Sequence, residues 1–312
     1  MRTIFFGTPE ISVPALEALA ATTEVAAVVC QPDRPAGRGL TLKPPPVKLC
    51  AERLGIPCAQ PEKIRTRQFV QWVQAQQPTV AVVLAYGHIL GPRLLAAPQQ
   101  GCMNLHASLL PRYRGAAPIN WAVVGGESKT GLSLMQMDEG CDTGPVFCQR
   151  ATPIGPNETA GELYERLGVL AADVIRDDLP RAVAGQLEAH PQDDEAATVA
   201  PLLRKADGLV DWTGAAGAIH DRVRGLTPWP GAHTTLDQKR LRLLETRLGA
   251  RDGELGPPGS IISIDDQGAE VACGEGSIVL RRAQLAGKKA LPAIELHRGR
   301  AIAVGTRLGT EK

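Results

Sequence analysis

Apolar runs and polar breaks alternate from the first residues onward. Ile4 to Phe6 is apolar and stops at Gly7. Thr8, Pro9 and Glu10 then offer an N-cap, a first-turn proline and an acid suited to the positive end of a helix. Val13, Leu16 and Leu19 keep the helical period, and Val25 to Cys30 is the next apolar run. Strand, helix, strand predicts a β-α-β unit and hence a parallel sheet. The alternation continues with a helix over 47–54, a short strand over 57–59, a helix over 69–76 and a strand over 79–85. A strand over 102–105, a helix over 117–124 and strands over 130–137 and 145–149 follow. Thr159 and Glu162 form a capping box that opens a helix striped by Leu163, Leu167, Leu170 and Val174. The expected fold is an α/β, doubly wound, mostly parallel sheet.

The pattern then changes. Residues 185–200 are polar and acidic, as in a linker. Beyond them Thr213 is placed to cap a helix carrying Ile219 and Val223. Short alternating strands succeed it at 233–236, 241–246, 260–264, 270–273 and 278–281. Strands at this spacing predict a small β-barrel, of a size that fits the oligonucleotide-binding type. The expected division is 1–184, a linker over 185–205, and 206–312.

Composition narrows the function classes only a little. A formal net charge of +1 neither demands nor excludes a nucleic-acid partner, so local patches must decide. With 4% aromatic residues, stacking of many bases on exposed rings is disfavoured. The seven cysteines include no C-x-x-C pair, which suggests neither a disulfide framework nor a zinc ribbon and points to a reducing cytoplasm. No signal-like leader and no apolar stretch of membrane-spanning length stands out. The turn after the first strand, G-T-P-E, lacks the glycine-rich dinucleotide fingerprint.

Three stretches carry candidate chemistry. Asn104 and His106 are two apart in an extended segment, so they project to one side: an amide beside a group that exchanges a proton near neutral pH. A lone strand-end histidine is more often structural, which leaves catalysis open at this point. Asp138, Glu139 and Asp142 fall in a Gly-rich turn after a later strand, where turn chemistry alone explains acids. Asn104, His106 and Asp142 would meet if their strands are neighbours. They would then suit acyl transfer, two groups stabilising an oxyanion and a carboxylate orienting the imidazole and handling a proton. Tyr86 and Gly87 lie just past a strand end, where open α/β sheets bind ligands. Residues 31–48 are dense in Pro and Gly and carry Arg34, Arg38, Lys43 and Lys48 against Asp33. A solvated loop and a phosphate-gripping loop both fit.

NLHASLLPRYRGAAPINW (104–121) and DEGCDTG (138–144) resemble the folate-dependent formyltransferases. GTPEISVPALEAL, QPDRPAGRG, AYG, Lys205 ahead of Val210-Asp211-Trp212, PWPG and the late GKK resemble the branch of that family that acts on methionine-charged initiator tRNA. The resemblance implies a formyltransferase-type first domain and a tRNA-binding second one. It implies transfer of a formyl group from the co-substrate 10-formyltetrahydrofolate to the amino group of methionyl initiator tRNA, without metal. It makes Asn104, His106 and Asp142 the catalytic trio, and Ser108, Leu109, Leu110 and Pro111 a folate-contacting stretch with Tyr86 and Gly87 on its rim. It assigns Arg38 to the acceptor end of tRNA and Lys205 to its support, with Arg34 and Lys43 in the same basic loop. Arg112 to Arg114 become wall and turn. The family reads A-Y-G-x-I-L-P where Gly91 here precedes Pro92, which would shift the pocket rim by one residue. A cytoplasmic monomer without membrane contact is expected. The rivals are a formyltransferase of another amine such as an amino sugar, an idle RNA-binding protein, and a folate hydrolase.

Overall fold

The computed structural model describes residues 1–36 and 41–309. In chain order the first elements are β1 (Arg2–Gly7), α1 (Val13–Thr22), β2 (Glu24–Val29), β3 (Arg34–Ala36), β4 (Thr41–Lys43), α2 (Pro46–Arg53), β5 (Cys58–Ala59) and α3 (Arg67–Ala75). Then come β6 (Val80–Leu84), α4 (Pro92–Leu95), β7 (Cys102–His106), β8 (Arg114–Gly115), α5 (Pro118–Val124), β9 (Lys129–Gln136) and β10 (Val146–Pro153). The chain divides into two compact units. One holds Met1–Gly115, Thr130–Thr152 and Tyr164–Ala200; the other holds Ala116–Lys129, Pro153–Leu163 and the chain from Pro201 onward.

The first unit is built on a seven-stranded sheet of order β10-β9-β7-β6-β1-β2-β5. β1 lies between β2 and β6 and is parallel to both; β6 pairs parallel with β7, and β7 antiparallel with β9. The strand order therefore reverses between β1 and β6, whose ends align with Gly7 opposite Leu84. A crevice beyond such a reversal is where this architecture receives ligands. β6, Val-Ala-Val-Val-Leu, is buried at every position, as expected of a strand covered on both faces. Ile4, Phe6, Ala27, Val29, Ala81, Val83 and Cys102 point to one face and pack with Phe69, Val70 and Val73 of α3. That helix opens on Thr66, whose hydroxyl accepts the Phe69 N–H at 3.2 Å.

Local signals decide the differences from the sequence pattern. Thr8 does not cap α1, which begins at Val13 after a 3-10 turn, Glu10–Ser12. Its hydroxyl instead donates to the Tyr86 carbonyl at 3.0 Å, and Ser12 Oγ donates to the Leu84 carbonyl at 2.7 Å. Both thus satisfy backbone at the end of β6. The basic stretch 31–48 contains a small antiparallel hairpin, β3 with β4. Of the segment read as a linker, the part up to Ala200 belongs to the first unit and is hydrogen-bonded into it, and the chain from Pro201 belongs to the second. α6 (Ala160–Asp177) and α7 (Leu179–Val183) lead to β11 (Val199–Ala200), which pairs parallel with β8. The expected capping box forms at the start of α6: Thr159 N–H donates to Glu162 Oε2 at 2.8 Å and Glu162 N–H to Thr159 Oγ1 at 3.2 Å.

In the second unit α8 (Ala216–Gly225) is followed by β12 (His233–Leu236), β13 (Lys239–Leu248), β14 (Ile261–Asp265), β15 (Gly268–Ala272), β16 (Ser277–Leu285), β17 (Ala290–Pro292) and α9 (Ala293–Arg298). The strands make a six-stranded antiparallel sheet, β12-β13-β16-β15-β14 with β17 on β16. Alternating Leu241 and Leu243, Ala269 and Val271, Ile278 and Leu280 turn inward onto Ala216, Ile219 and Val223 of α8. Thr213 does not cap that helix. Asp211 captures both its N–H, at 3.0 Å, and its hydroxyl, at 2.7 Å, and Ala215 becomes the N-cap. α5 joins this unit through Asn120, whose amide donates to the Gly225 carbonyl at 2.8 Å. Among the described residues no helix is long and apolar enough to cross a membrane.

Candidate active site

β7 carries Asn104 and His106 to one face, and the neighbouring β9 leads into the 138–144 turn. That turn brings Asp142 to both. Asn104 Nδ2 lies 3.5 Å from Asp142 Oδ1, and His106 Nδ1 lies 3.5 Å from Asp142 Oδ2. Asn104 and His106 are 8% and 6% exposed, and the Asp142 side chain 17%. The contacts are longer than good hydrogen bonds, as is common in sites that tighten only around substrate. The trio is therefore assembled on one chain within one unit.

Protonation follows from the partners. His106 Nε2 is 2.9 Å from the Tyr113 carbonyl, which only accepts, so Nε2 carries the hydrogen. Nδ1 is the nitrogen that faces Asp142 Oδ2.

Asp142 is fixed by groups that the sequence pattern does not announce. Its φ is +57°, a left-handed conformation rare for a residue with a side chain. Oδ2 accepts the Gly115 N–H at 2.9 Å. Gly115 itself has φ +119°, and a Cβ there would stand 2.7 Å from the Ala200 carbonyl oxygen, so only glycine fits. Gln192 Nε2 donates to the carbonyls of Asp142 and Gly144 at 2.8 and 2.7 Å. Its Oε1 accepts Nε and Nη2 of Arg114 at 3.0 and 2.9 Å, and Arg114 also pairs with Asp194 at 2.8 Å. Arg114 is thus wall, as expected. Asp138 has the role turn chemistry gives it, accepting from Thr143 Oγ1 at 2.7 Å and the Gly140 N–H at 3.0 Å. Spacing and periodicity are silent about Gln192, because a single glutamine in a polar stretch has no sequence signature.

The stretch after His106 is turned inward. Ser108 is fully buried and its hydroxyl donates to the Arg112 carbonyl at 2.6 Å. Leu110 is buried, its N–H donating to Ser133 Oγ at 3.1 Å, while Leu109 and Pro111 are partly exposed. Tyr86 is 2% exposed, stacks edge-on to Phe6 and His88, and keeps a buried hydroxyl without a partner; burial pushes that phenol's pKa up. Gly87 is exposed with φ +86°. A cavity of about 690 Å³ opens beside Gly87, His88 and Ile89 against residues 62–66. Gly91 is the N-cap of α4, and a Cβ there would meet only Arg65 Cγ at 4.0 Å.

Of the basic residues, Arg34 and Lys43 stand directly opposite each other across the β3–β4 hairpin, so they share a face. Arg34 Nη2 donates to Gln31 Oε1 at 3.0 Å, and Lys48 is engaged by Asp33 at 2.9 Å. Arg38 lies outside the described residues. Lys205 is exposed and opens a 3-10 turn, Lys205–Gly208, in the second unit. Among the described residues no group of three or more His, Cys, Asp or Glu side chains gathers as a metal site.

Comparison with known proteins gives consistent matches. Residues 1–177 match the formyl transferase family, and residues 202–301 match the formyl transferase C-terminal domain. The chain is 57% identical over 310 residues to a methionyl-tRNA formyltransferase of Sorangium cellulosum, covering 99% of this chain and 100% of that protein. It is 48% identical to that of Geobacter sulfurreducens, covering 99% and 97%. Among solved structures, an N-formyltransferase from Helicobacter canadensis in complex with folinic acid and dTDP-3-aminofucose superimposes with TM-score 0.67 at 17% identity, covering 89% of this chain and 98% of that one. The methionyl-tRNA formyltransferase from Clostridium thermocellum superimposes with TM-score 0.55 at 16% identity, covering 80% and 94%. These structures share the fold.

Proposed function

This chain belongs to the formyl transferase family, and from that premise we propose that it formylates the α-amino group of methionyl initiator tRNA with 10-formyltetrahydrofolate as donor. One observation carries the chemistry: an amide, an imidazole and a carboxylate face one another on β7 and the Asp142 turn. The full-length similarity to methionyl-tRNA formyltransferases carries the acceptor. An amino-sugar acceptor has only fold likeness at 17% identity behind it.

The amine attacks the formyl carbon, and the carbonyl π electrons move to oxygen. Asn104 Nδ2–H and His106 Nδ1–H, on the imidazole edge opposite the Tyr113 carbonyl, stabilise that oxyanion, an interaction worth on the order of a hundredfold to a thousandfold in rate per donor. Asp142 receives the proton lost by the amine. Collapse of the tetrahedral adduct re-forms the carbonyl and breaks the bond to N10 of the folate. N10 takes the proton, so the trio returns to its starting state. Leu109 and Pro111, the partly exposed members of the 108–111 stretch, line the folate wall with Ser108 and Leu110 buried behind them, and Gly87 forms the rim over the buried Tyr86. Arg34, Arg38, Lys43 and Lys205 meet the tRNA phosphates as cations. The trio comes from one chain, so a monomer suffices, and charged tRNA places the reaction in the cytoplasm. The test is to incubate the purified protein with 10-formyltetrahydrofolate and methionyl initiator tRNA, deacylate, and separate the amino acid. N-formylmethionine is expected; recovery of methionine alone would sink the proposal.

A further inference from the structure

The segment 190–200 looks like a tether in sequence and is hydrogen-bonded like a structural wall. His190 and Val146 exchange both backbone hydrogen bonds at 2.9 Å. Thr198 accepts the Tyr113 N–H on its hydroxyl at 2.8 Å and the Arg114 N–H on its carbonyl at 2.8 Å. Gln192 lies between these two anchor points. Its side-chain amide has two donors and two lone pairs. Both donors reach the Asp142 turn, at the carbonyls of Asp142 and Gly144, and both lone pairs face the Arg114 guanidinium. Gly144 is packed closely on β9: a Cβ there would fall 1.9 Å from the Gln136 carbonyl oxygen, so no side chain fits.

We propose that Gln192 is a positioning residue for formyl transfer. Its amide joins the Asp142 turn to the Tyr113–Gly115 segment and so sets the distance between carboxylate and imidazole. The two sides it joins are the two sides of the His106 contact. Tyr113 supplies the carbonyl that holds His106 Nε2, and Gly115 supplies the N–H that holds Asp142 Oδ2. Asp142 sits at φ +57°, a left-handed conformation uncommon outside glycine, and the bonds around it favour it. Remove the two donated bonds and the turn relaxes, carrying the carboxylate away from His106. The inference rests on the assignment of Asn104, His106 and Asp142 as the reacting trio.

Two substitutions separate the bonds. Gln192→Met keeps length and removes every hydrogen bond. Gln192→Glu keeps acceptors for Arg114 and removes both donors to the turn. Each is expected to lower kcat on the order of ten- to a hundredfold, by analogy with the loss when a hydrogen-bond partner that orients a metal ligand is removed. The KM values for folate and acceptor should stay within about threefold, because Gln192 is placed to orient the reacting groups and not to bind either substrate. Glu195→Ala, at an exposed position three residues further along the segment, is the control and should match the parent. Hydrogen exchange of the Gly115 amide gives a readout independent of activity: its partner is Asp142, and both variants should exchange at least about tenfold faster. If the parent transfers no formyl group, the assignment of function fails, and the exchange experiment still decides this proposal. Parental kcat in Gln192→Glu, or unchanged Gly115 protection in either folded variant, would overturn it.

Discussion

Replacing Asp142 with Asn keeps the shape of the side chain and removes its charge. The carboxylate now faces four groups: Gly115 N–H at 2.9 Å, Asn104 Nδ2 at 3.5 Å, His106 Nδ1 at 3.5 Å and the Cys141 thiol at 3.7 Å. An amide has one acceptor oxygen. If that oxygen keeps the Gly115 bond, the new NH₂ faces the NH₂ of Asn104, two donors in opposition. Asn104 relieves this by turning its own oxygen inward, which withdraws its N–H from the formyl oxygen. That loss alone is on the order of a hundredfold to a thousandfold. The amine proton also loses its acceptor, a further effect of about a hundredfold or more. The two overlap, since both act in one transition state, so the expectation is a fall in kcat of at least about a thousandfold, or about 4 kcal/mol. The assay is the initial rate of N-formylmethionine formation at saturating folate and acceptor, beside a melting curve that establishes folding. A folded Asp142→Asn protein within about tenfold of the parental kcat would refute the reasoning.

Other outcomes follow from individual contacts. Gly115→Ala places a methyl against the Ala200 carbonyl at a φ of +119° and should both lower Tm and weaken catalysis, read by melting and by kcat; a variant equal to the parent in both contradicts the packing. The charge-removing substitutions Arg34→Gln and Lys43→Gln should each weaken tRNA binding and reduce the slope of log K against log salt by about one, measured by filter binding at several salt concentrations. His220 is buried, with Nε2–H donating to the Pro156 carbonyl at 3.0 Å and Nδ1 bonded to the Thr246 hydroxyl at 2.8 Å. Burial, aided by Arg224 and Arg247 and opposed by the Pro156 bond and Asp221, holds its pKa below the ordinary 6.5. The unfolded chain therefore binds the proton first. Stability from this residue is fully present above about pH 6.5 and is lost as pH falls through the folded-state value. Denaturant titrations from pH 7.5 to 5 should show this slope, and His220→Asn should flatten it.

The sheet was legible because burial writes itself into composition. Val80 to Leu84 is apolar at every position, and Ile219 with Val223 marks the inner face of α8. The caps were less legible, since a threonine near a helix start has more than one possible partner. Thr159 found Glu162, whereas Thr8 was taken by Tyr86 and Thr213 by Asp211. In the site, spacing showed that Asn104 and His106 share a side but not that Asp142 would reach them. That needed the adjacency of β7 and β9 and a left-handed residue in the turn, neither of which a local pattern encodes. The Tyr113 carbonyl, the Gly115 N–H and Gln192 were invisible for a simpler reason. Two are backbone groups common to every residue, and the third lies in a stretch whose polarity resembles that of a tether.

The central claim is that the trio delivers a formyl group to an amino acid carried on tRNA. It is tested most directly with a donor labelled in its formyl carbon, offered to methionyl initiator tRNA, uncharged tRNA and a nucleotide-linked amino sugar together. The account predicts label on the methionyl acceptor almost alone, with none on uncharged tRNA and little released as formate. Label on the amino sugar at comparable kcat/KM, or release as formate in place of transfer, would contradict it.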